Sequence, residues 1–104
     1  MDVAGFDWDD GNRAHCRKHG VTIAEIEELF GRMMLVAPDP KHSTHEARFM
    51  AIGTTTQGRN IFVAFTFRNR GGDTLIRPIS ARPMHEKERR AYEKAAEKTS
   101  SPDK

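Results

Sequence analysis

Residues 60–68 read "NIFVAFTFR". Ile61, Val63, Phe65 and Phe67 fall on one side of an extended chain, Phe62 and Ala64 on the other. A half-exposed strand alternates apolar with polar residues. One that is apolar on both sides belongs in the middle of a sheet covered on both faces. This segment is therefore the centre around which the rest of the chain must arrange itself.

Its neighbours supply the sheet. Downstream, "NRGGD" (69–73) is a turn and "TLIRPIS" (74–80) a last strand. Upstream, "EARFMAIGTT" (46–55) is a strand of imperfect alternation, joined to the central one by "TQGR" (56–59). "MMLVA" (33–37) is a short strand ended by Pro38 and Pro40, and "VAGFDW" (3–8) a first strand. Two helices lie between them. Asp9 as N-cap and Gly20 just past the end predict a helix over about 10–19. Thr22 and Glu25 have the spacing of a capping box, in which each side chain reaches the other's backbone N–H. Ile23, Ile26, Leu29 and Phe30 then form one apolar stripe, and Gly31 stops the helix. From about Met84 to Lys98 the pattern is helical again, with Ala91, Tyr92, Ala95 and Ala96 as its packing stripe. Residues 99–104 read as a disordered tail. The expected fold class is α+β: one domain over 1–98, two N-terminal helices packed on an antiparallel sheet, then a C-terminal helix.

With 104 residues, 37% hydrophobic and 31% charged, the chain has enough apolar matter for one core. No apolar run approaches the roughly 18 residues of a membrane span. The acidic start "MDVAGFDWDD" has no secretory apolar region, and the lone Cys16 has no internal disulfide partner. These features together predict a cytoplasmic protein. The net charge of +2 conceals an asymmetry. Residues 1–52 carry six Lys/Arg against nine Asp/Glu, whereas 53–104 carry eleven against six. Such a field points to an anionic partner for the second half.

Between positions 45 and 82 the bases are Arg48, Arg59, Arg68, Arg70, Arg77 and Arg82, without one lysine, against Glu46 and Asp73. The planar fork of arginine matches phosphate oxygens, where lysine is a point charge. On neighbouring strands about 4.8 Å apart, such side chains can converge into a cradle for an RNA backbone. The alternative is that they pair with Glu46, Asp73 and the acids of the second helix. Pro78 complicates the geometry, because it cannot donate to a ladder; its strand lies at an edge or carries a bulge. Strict alternation sends Arg77 and Arg82 to opposite faces, and a bulge at Pro78 brings them together. Both arrangements are compatible with the sequence.

His42 and His45 are spaced like metal ligands, but no third ligand lies nearby in sequence, so no metal and no cofactor are expected. Acid–base work suits them better, and a solvated loop is the plain alternative. Lys18 and His19, in "RKHG", close the first helix, where cations also suit the helix terminus. Cys16 reads as inert.

In this order, "FDWDD", "RKHGV", "DPKHSTHEARFMAIG", "GRNIFVAFTFR" and "IRPISARPMHEKERRAYEKA" resemble the BrnT family of bacterial type II toxins. The resemblance runs from Phe6 to about Ala95. Its motifs are specific together and weak singly: "KHGV", His45-Glu46-Ala47-Arg48, and Ile76-Arg77 followed by Ile79-Ser80-Ala81-Arg82. Pro78 departs from the apolar residue usual in the family, and the lysine common in its first helix is not obvious in "DDGNRAHC". The resemblance implies a small ribonuclease of the RelE-like fold, neutralised by a BrnA-like ribbon-helix-helix antitoxin, which alone links the complex to operator DNA.

Metal-free RNA cleavage needs a base for the 2′-OH, cations for the extra phosphate charge and an acid for the leaving oxygen. Arg77, Arg82 and Arg48 are the expected charge stabilisers, with Arg68 assisting. His19 or Glu46 is the expected base, and His45, His85 or Tyr92 the acid. Arg70, Lys18 and Arg89, with Arg68, are the expected RNA contacts. A non-catalytic module that only binds its antitoxin is the competing reading. A plain single-strand binder fits less well, because the basic strands lack aromatic stacking platforms.

Overall fold

The strand β4 (Asn60–Arg70) is the third of five in a sheet of order β1-β5-β4-β3-β2. The computed structural model describes residues 3–99. In chain order these form β1 (Gly5–Phe6), α1 (Asp10–Cys16), α2 (Ile23–Leu29), β2 (Met34–Pro38), β3 (Phe49–Thr54), β4, β5 (Asp73–Pro83) and α3 (Glu86–Thr99). A single 3₁₀ turn covers Pro40–His42. Strands β2 to β5 form an antiparallel meander. The short β1 pairs with β5 in parallel, through Gly5 with Leu75 and Phe6 with Ile76. The sheet is thus mixed, not wholly antiparallel, because the chain returns from β1 to β5 only after crossing both helices and the meander.

One face of the sheet carries the core. Ala51, Ile61, Val63, Phe65, Ile76 and Ala81 pack there with Cys16, Val21, Ile26 and Leu29 from the helical layer. Phe65 is fully buried, with ring centroids 5.0 Å from Phe30, 5.6 Å from Phe49 and 5.6 Å from Phe67. The approach of α2 to β3 is so close that a Cβ on Gly53 would meet the Leu29 Cδ1 atom at 2.5 Å. The other face is only partly covered. Phe62 and Ala64 are half-buried there, so the expectation of two covered faces holds in full for one.

Local signals placed the start of α1 and both ends of α2 within a residue or so. Thr22 accepts from the backbone N–H of Glu25, and Glu25 accepts from that of Thr22, completing the capping box. Helix α1 ends at Cys16 rather than near 19, and β1 keeps only two residues of "VAGFDW". In the β4–β5 hairpin Arg70 faces Asp73, so Gly71 and Gly72 alone make the turn, with φ of 57° and 87°. A two-residue loop with both φ angles positive favours glycine at each position. In α3, Tyr92, Ala95 and Ala96 are half-buried, while Ala91 is exposed and drops out of the expected packing stripe. Thr99 ends α3; the rest of the expected tail lies outside the described residues. Among the described residues no helix is long and apolar enough to cross a membrane.

Candidate functional site

The irregularity expected at Pro78 is real and decides the site. Ala64 pairs with Ser80 but Phe65 pairs with Pro78, so Ile79 is the extra residue of a bulge. Beyond it Arg77 pairs with Thr66, and on the near side Arg82 pairs with Phe62. Thr66 and Phe62 are four residues apart on β4 and share a face. Arg77 and Arg82 therefore share the open face as well. They are separated by roughly 13 Å along the strand, at about 3.3 Å per residue.

A bulge leaves backbone groups outside the ladder, and α1 supplies the missing partner. The Asn12 Nδ2 amide donates to Pro78 O at 2.8 Å and to Asp7 O at 3.0 Å. The same side chain accepts from Asp9 N at 2.7 Å, while Asp9 Oδ1 accepts from Asn12 N at 2.9 Å. One buried asparagine thus caps α1 and docks it on the bulge. His15, three residues further along α1, is carried to the rim of the open face.

On the opposite side Thr66, also buried, donates its hydroxyl to Ala47 O at 2.7 Å. That bond lays the segment before β3 over β4, with Glu46 and Arg48 on either side of the anchored residue. The outcome is a cleft of about 290 Å³ lined by Gly11, Asn12, His15, Glu46, Arg48, Arg68, Arg77, Pro78 and Ile79. Three guanidinium groups enter it from three consecutive strand segments.

Every arginine of the basic set has a carboxylate near it. Arg68 Nη1 donates to Glu46 Oε1, and Arg48 Nε lies 4.0 Å from Glu46 Oε2. Arg77 reaches Asp9 at 2.9 Å and Asp7 at 3.5 Å, and Arg70 reaches Asp7 at 3.1 Å. Arg59 pairs with Glu25 of α2. Arg82 is held by both oxygens of Glu88, at 2.7 and 2.8 Å, and stands 3.9 Å over the Phe62 ring. The pairing alternative is thus met at each position: by the expected Glu46 and Glu25 for Arg48, Arg68 and Arg59, and by Asp7, Asp9 and Glu88, which the sequence had not singled out, for Arg70, Arg77 and Arg82. The Asp9 carboxyl is held below its ordinary value, first by the Asn12 backbone N–H and then by Arg77. Arg82 does the same to Glu88.

The structure brings together only part of the expected site. Arg48, Arg68, Arg77 and Glu46 line the cleft; Arg82 lies on its face but is lashed to α3 instead. His45 sits in an adjoining depression with Lys41, His42 and Thr44. Lys18 and His19 are exposed in the turns after α1, and His85 is exposed just before α3. Arg89 bridges Glu86 and Glu93 along α3, and Tyr92 donates to Met33 O at 3.4 Å. None of these six lines the cleft, and neither does Arg70, which pairs with Asp7. His15 does, and the sequence reading passed over it. The available signal was its helical spacing from Asn12 and Gly11, which puts all three on one side of α1. Cys16, on the buried side, has its thiol pushed up to about 11 by burial, which accords with an inert role. Among the described residues no three His, Cys, Asp or Glu side chains group as metal ligands.

No curated protein matches the chain. A family profile described as the ribonuclease toxin BrnT of type II toxin–antitoxin systems matches residues 8–88. That span runs from Trp8, through every residue lining the cleft, to Glu88, which holds Arg82. The chain accordingly belongs to the BrnT family of ribonuclease toxins, whose type II systems pair each toxin with an antitoxin.

Proposed function

We propose that the cleft between α1, β4, β5 and the segment before β3 cleaves RNA without a metal ion. One observation carries this reading: Arg48, Arg68 and Arg77 enter one open cleft beside Glu46 and His15. The 2′-oxygen attacks the adjacent phosphorus, the bond to the 5′-oxygen breaks, and a 2′,3′-cyclic phosphate and a 5′-hydroxyl result. A base takes the 2′ proton and an acid supplies one to the leaving oxygen. Glu46 and His15 are the two proton-handling groups within the cleft. The three guanidiniums stabilise the extra negative charge on phosphorus-bound oxygens. Purified protein incubated with labelled RNA and EDTA is expected to yield cyclic-phosphate ends. Complete loss of cleavage in EDTA, with rescue by a divalent ion, would overturn this mechanism.

The protein partner is read as a BrnA-like ribbon-helix-helix antitoxin that covers the basic open face, contacts operator DNA itself, and works with a RelE-like toxin fold in the cytoplasm. One observation favours a second reading. All three cleft arginines already face carboxylates, and phosphate must displace them. A non-catalytic module that only binds its antitoxin would show the same pairing. Cleavage by the toxin alone separates the two.

A further inference from the structure

The open cleft does not end at Glu46 and Arg48. The same two residues form one wall of a second depression, lined also by Lys41, His42, Thr44 and His45. The two depressions therefore adjoin at Glu46 and Arg48, which stand on the border of both.

The loop that forms this depression is tied shut by its own bonds. Asp39 N donates to Arg48 O at 2.8 Å. Ser43 Oγ donates to Asp39 O at 2.7 Å and accepts from Arg48 N at 2.9 Å. Asp39 Oδ2 lies 2.8 Å from His42 Nδ1 and fixes that ring. A loop ordered in advance presents its side chains without a further entropy cost on binding.

Two of its side chains also differ from the guanidiniums of the main cleft. There each guanidinium already has a carboxylate. Among the described residues the Lys41 and His45 side chains have no ion pair and no hydrogen bond, although both line the depression. An anion binds them without displacing an internal partner. Lysine is a flexible point charge, suited to gripping a phosphate for position rather than for planar, bidentate chemistry.

We propose that this loop cleft is a second RNA backbone-phosphate subsite, in which Lys41 and His45 hold the phosphate next to the scissile one. The proposal rests on the main cleft being the RNA-cleaving site. A sugar-phosphate strand is the occupant favoured, because it delivers one anion to each of two adjoining basic clefts. An acidic protein segment is the competitor that the experiment separates.

The test uses the full chain and uncleavable 2′-O-methyl oligonucleotides, a dinucleotide and a hexanucleotide, titrated by fluorescence anisotropy over a range of salt. Each single-strand phosphate contact adds about 0.7 to the slope of log K against log salt. Lys41→Ala with His45→Ala is expected to reduce the hexanucleotide slope by about 0.7 to 1.4, while dinucleotide binding stays unchanged. Lys41→Arg should retain the wild-type slope. Equal slopes for wild type and the double variant overturn the subsite, and so does an equal loss for both oligonucleotides. Lost antitoxin affinity with unchanged RNA affinity assigns the depression to the protein partner and overturns it too. Failure of the wild type to bind or cleave any RNA refutes the reading of the main cleft itself, and is seen before any variant is compared.

Discussion

Arg77 Nη2 lies 2.9 Å from the carboxylate of Asp9, the residue that caps α1. Its other amino group is 3.5 Å from Asp7. One side chain thus ties the middle of β5 to the first turn of α1 while lining the candidate cleft. Its structural role and the role in cleavage proposed for it are therefore coupled.

Replacing Arg77 tests that coupling. Arg77 is only 19% exposed, and Asp7 only 11%. Arg77→Ala is expected to cost about 1.5–3 kcal/mol, the range for hydrogen bonds to charged groups. It should also lower RNA cleavage by roughly a hundredfold or more, as loss of a transition-state donor does. Urea midpoints and single-turnover rates measured below the unfolding midpoint give the two numbers separately. Full activity in folded Arg77→Ala protein would remove this residue from the site.

Arg82 has the opposite expectation. Its bidentate bond to Glu88 and its position over Phe62 fasten β5 to the start of α3. A double-mutant cycle of Arg82→Ala with Glu88→Gln should give a coupling energy of about 1–3 kcal/mol. The cleavage rate per folded molecule should change little. A fall in rate well beyond the loss of folded protein would restore Arg82 to the chemistry.

Acid weakens the same fastening. The Glu88 carboxyl is held below its ordinary 4.5, chiefly by the Arg82 side chain. A group whose folded value is depressed contributes fully above its unfolded value and loses that contribution as pH falls through the folded one. Urea midpoints should therefore drop below about pH 4.5. Glu88→Gln should show a shallower drop over that window. An identical acid profile for wild type and variant would mean that this pair does not stabilise the fold.

Antitoxin binding tests the shared face. Arg48, about one-third exposed and 4.0 Å from Glu46, is the most loosely held guanidinium of the cleft. Arg48→Glu should weaken both cleavage and antitoxin binding, and the wild-type complex should weaken as salt rises. Cleavage lost with antitoxin affinity intact would place the antitoxin elsewhere.

Cys16 offers a readout of unfolding. It is fully buried, and its thiol is pushed up to about 11. Thiol reagents should modify it only at the rate of opening, and much faster in urea. Rapid labelling of native protein would contradict the burial.

Much of the fold was legible because its signals are local. The two-sided apolarity of Ile61 to Phe67 needs a central strand. Thr22 with Glu25 needs only one helical turn, and Gly71-Gly72 only one hairpin. The charged lining of the candidate cleft was legible for a similar reason: arginine is the residue for phosphate, and Arg48, Arg68 and Arg77 lie on successive strand segments, with Glu46 beside Arg48.

The rest was decided by register and by partners distant in sequence. Whether Arg77 and Arg82 share a face depends on one extra residue, Ile79, because a shift of one position reverses every later side chain. Glu88 takes Arg82 away from the cleft, and Asp7 and Asp9 meet Arg77 from nearly seventy positions away. His15 enters only because Asn12 docks α1 on the bulge carbonyl. Residue types and short spacings determine which elements form and which chemistry is available. Which of six arginines meet in one cleft is set by long-range pairing, since each side chain goes where its strand's register and the nearest carboxylate allow.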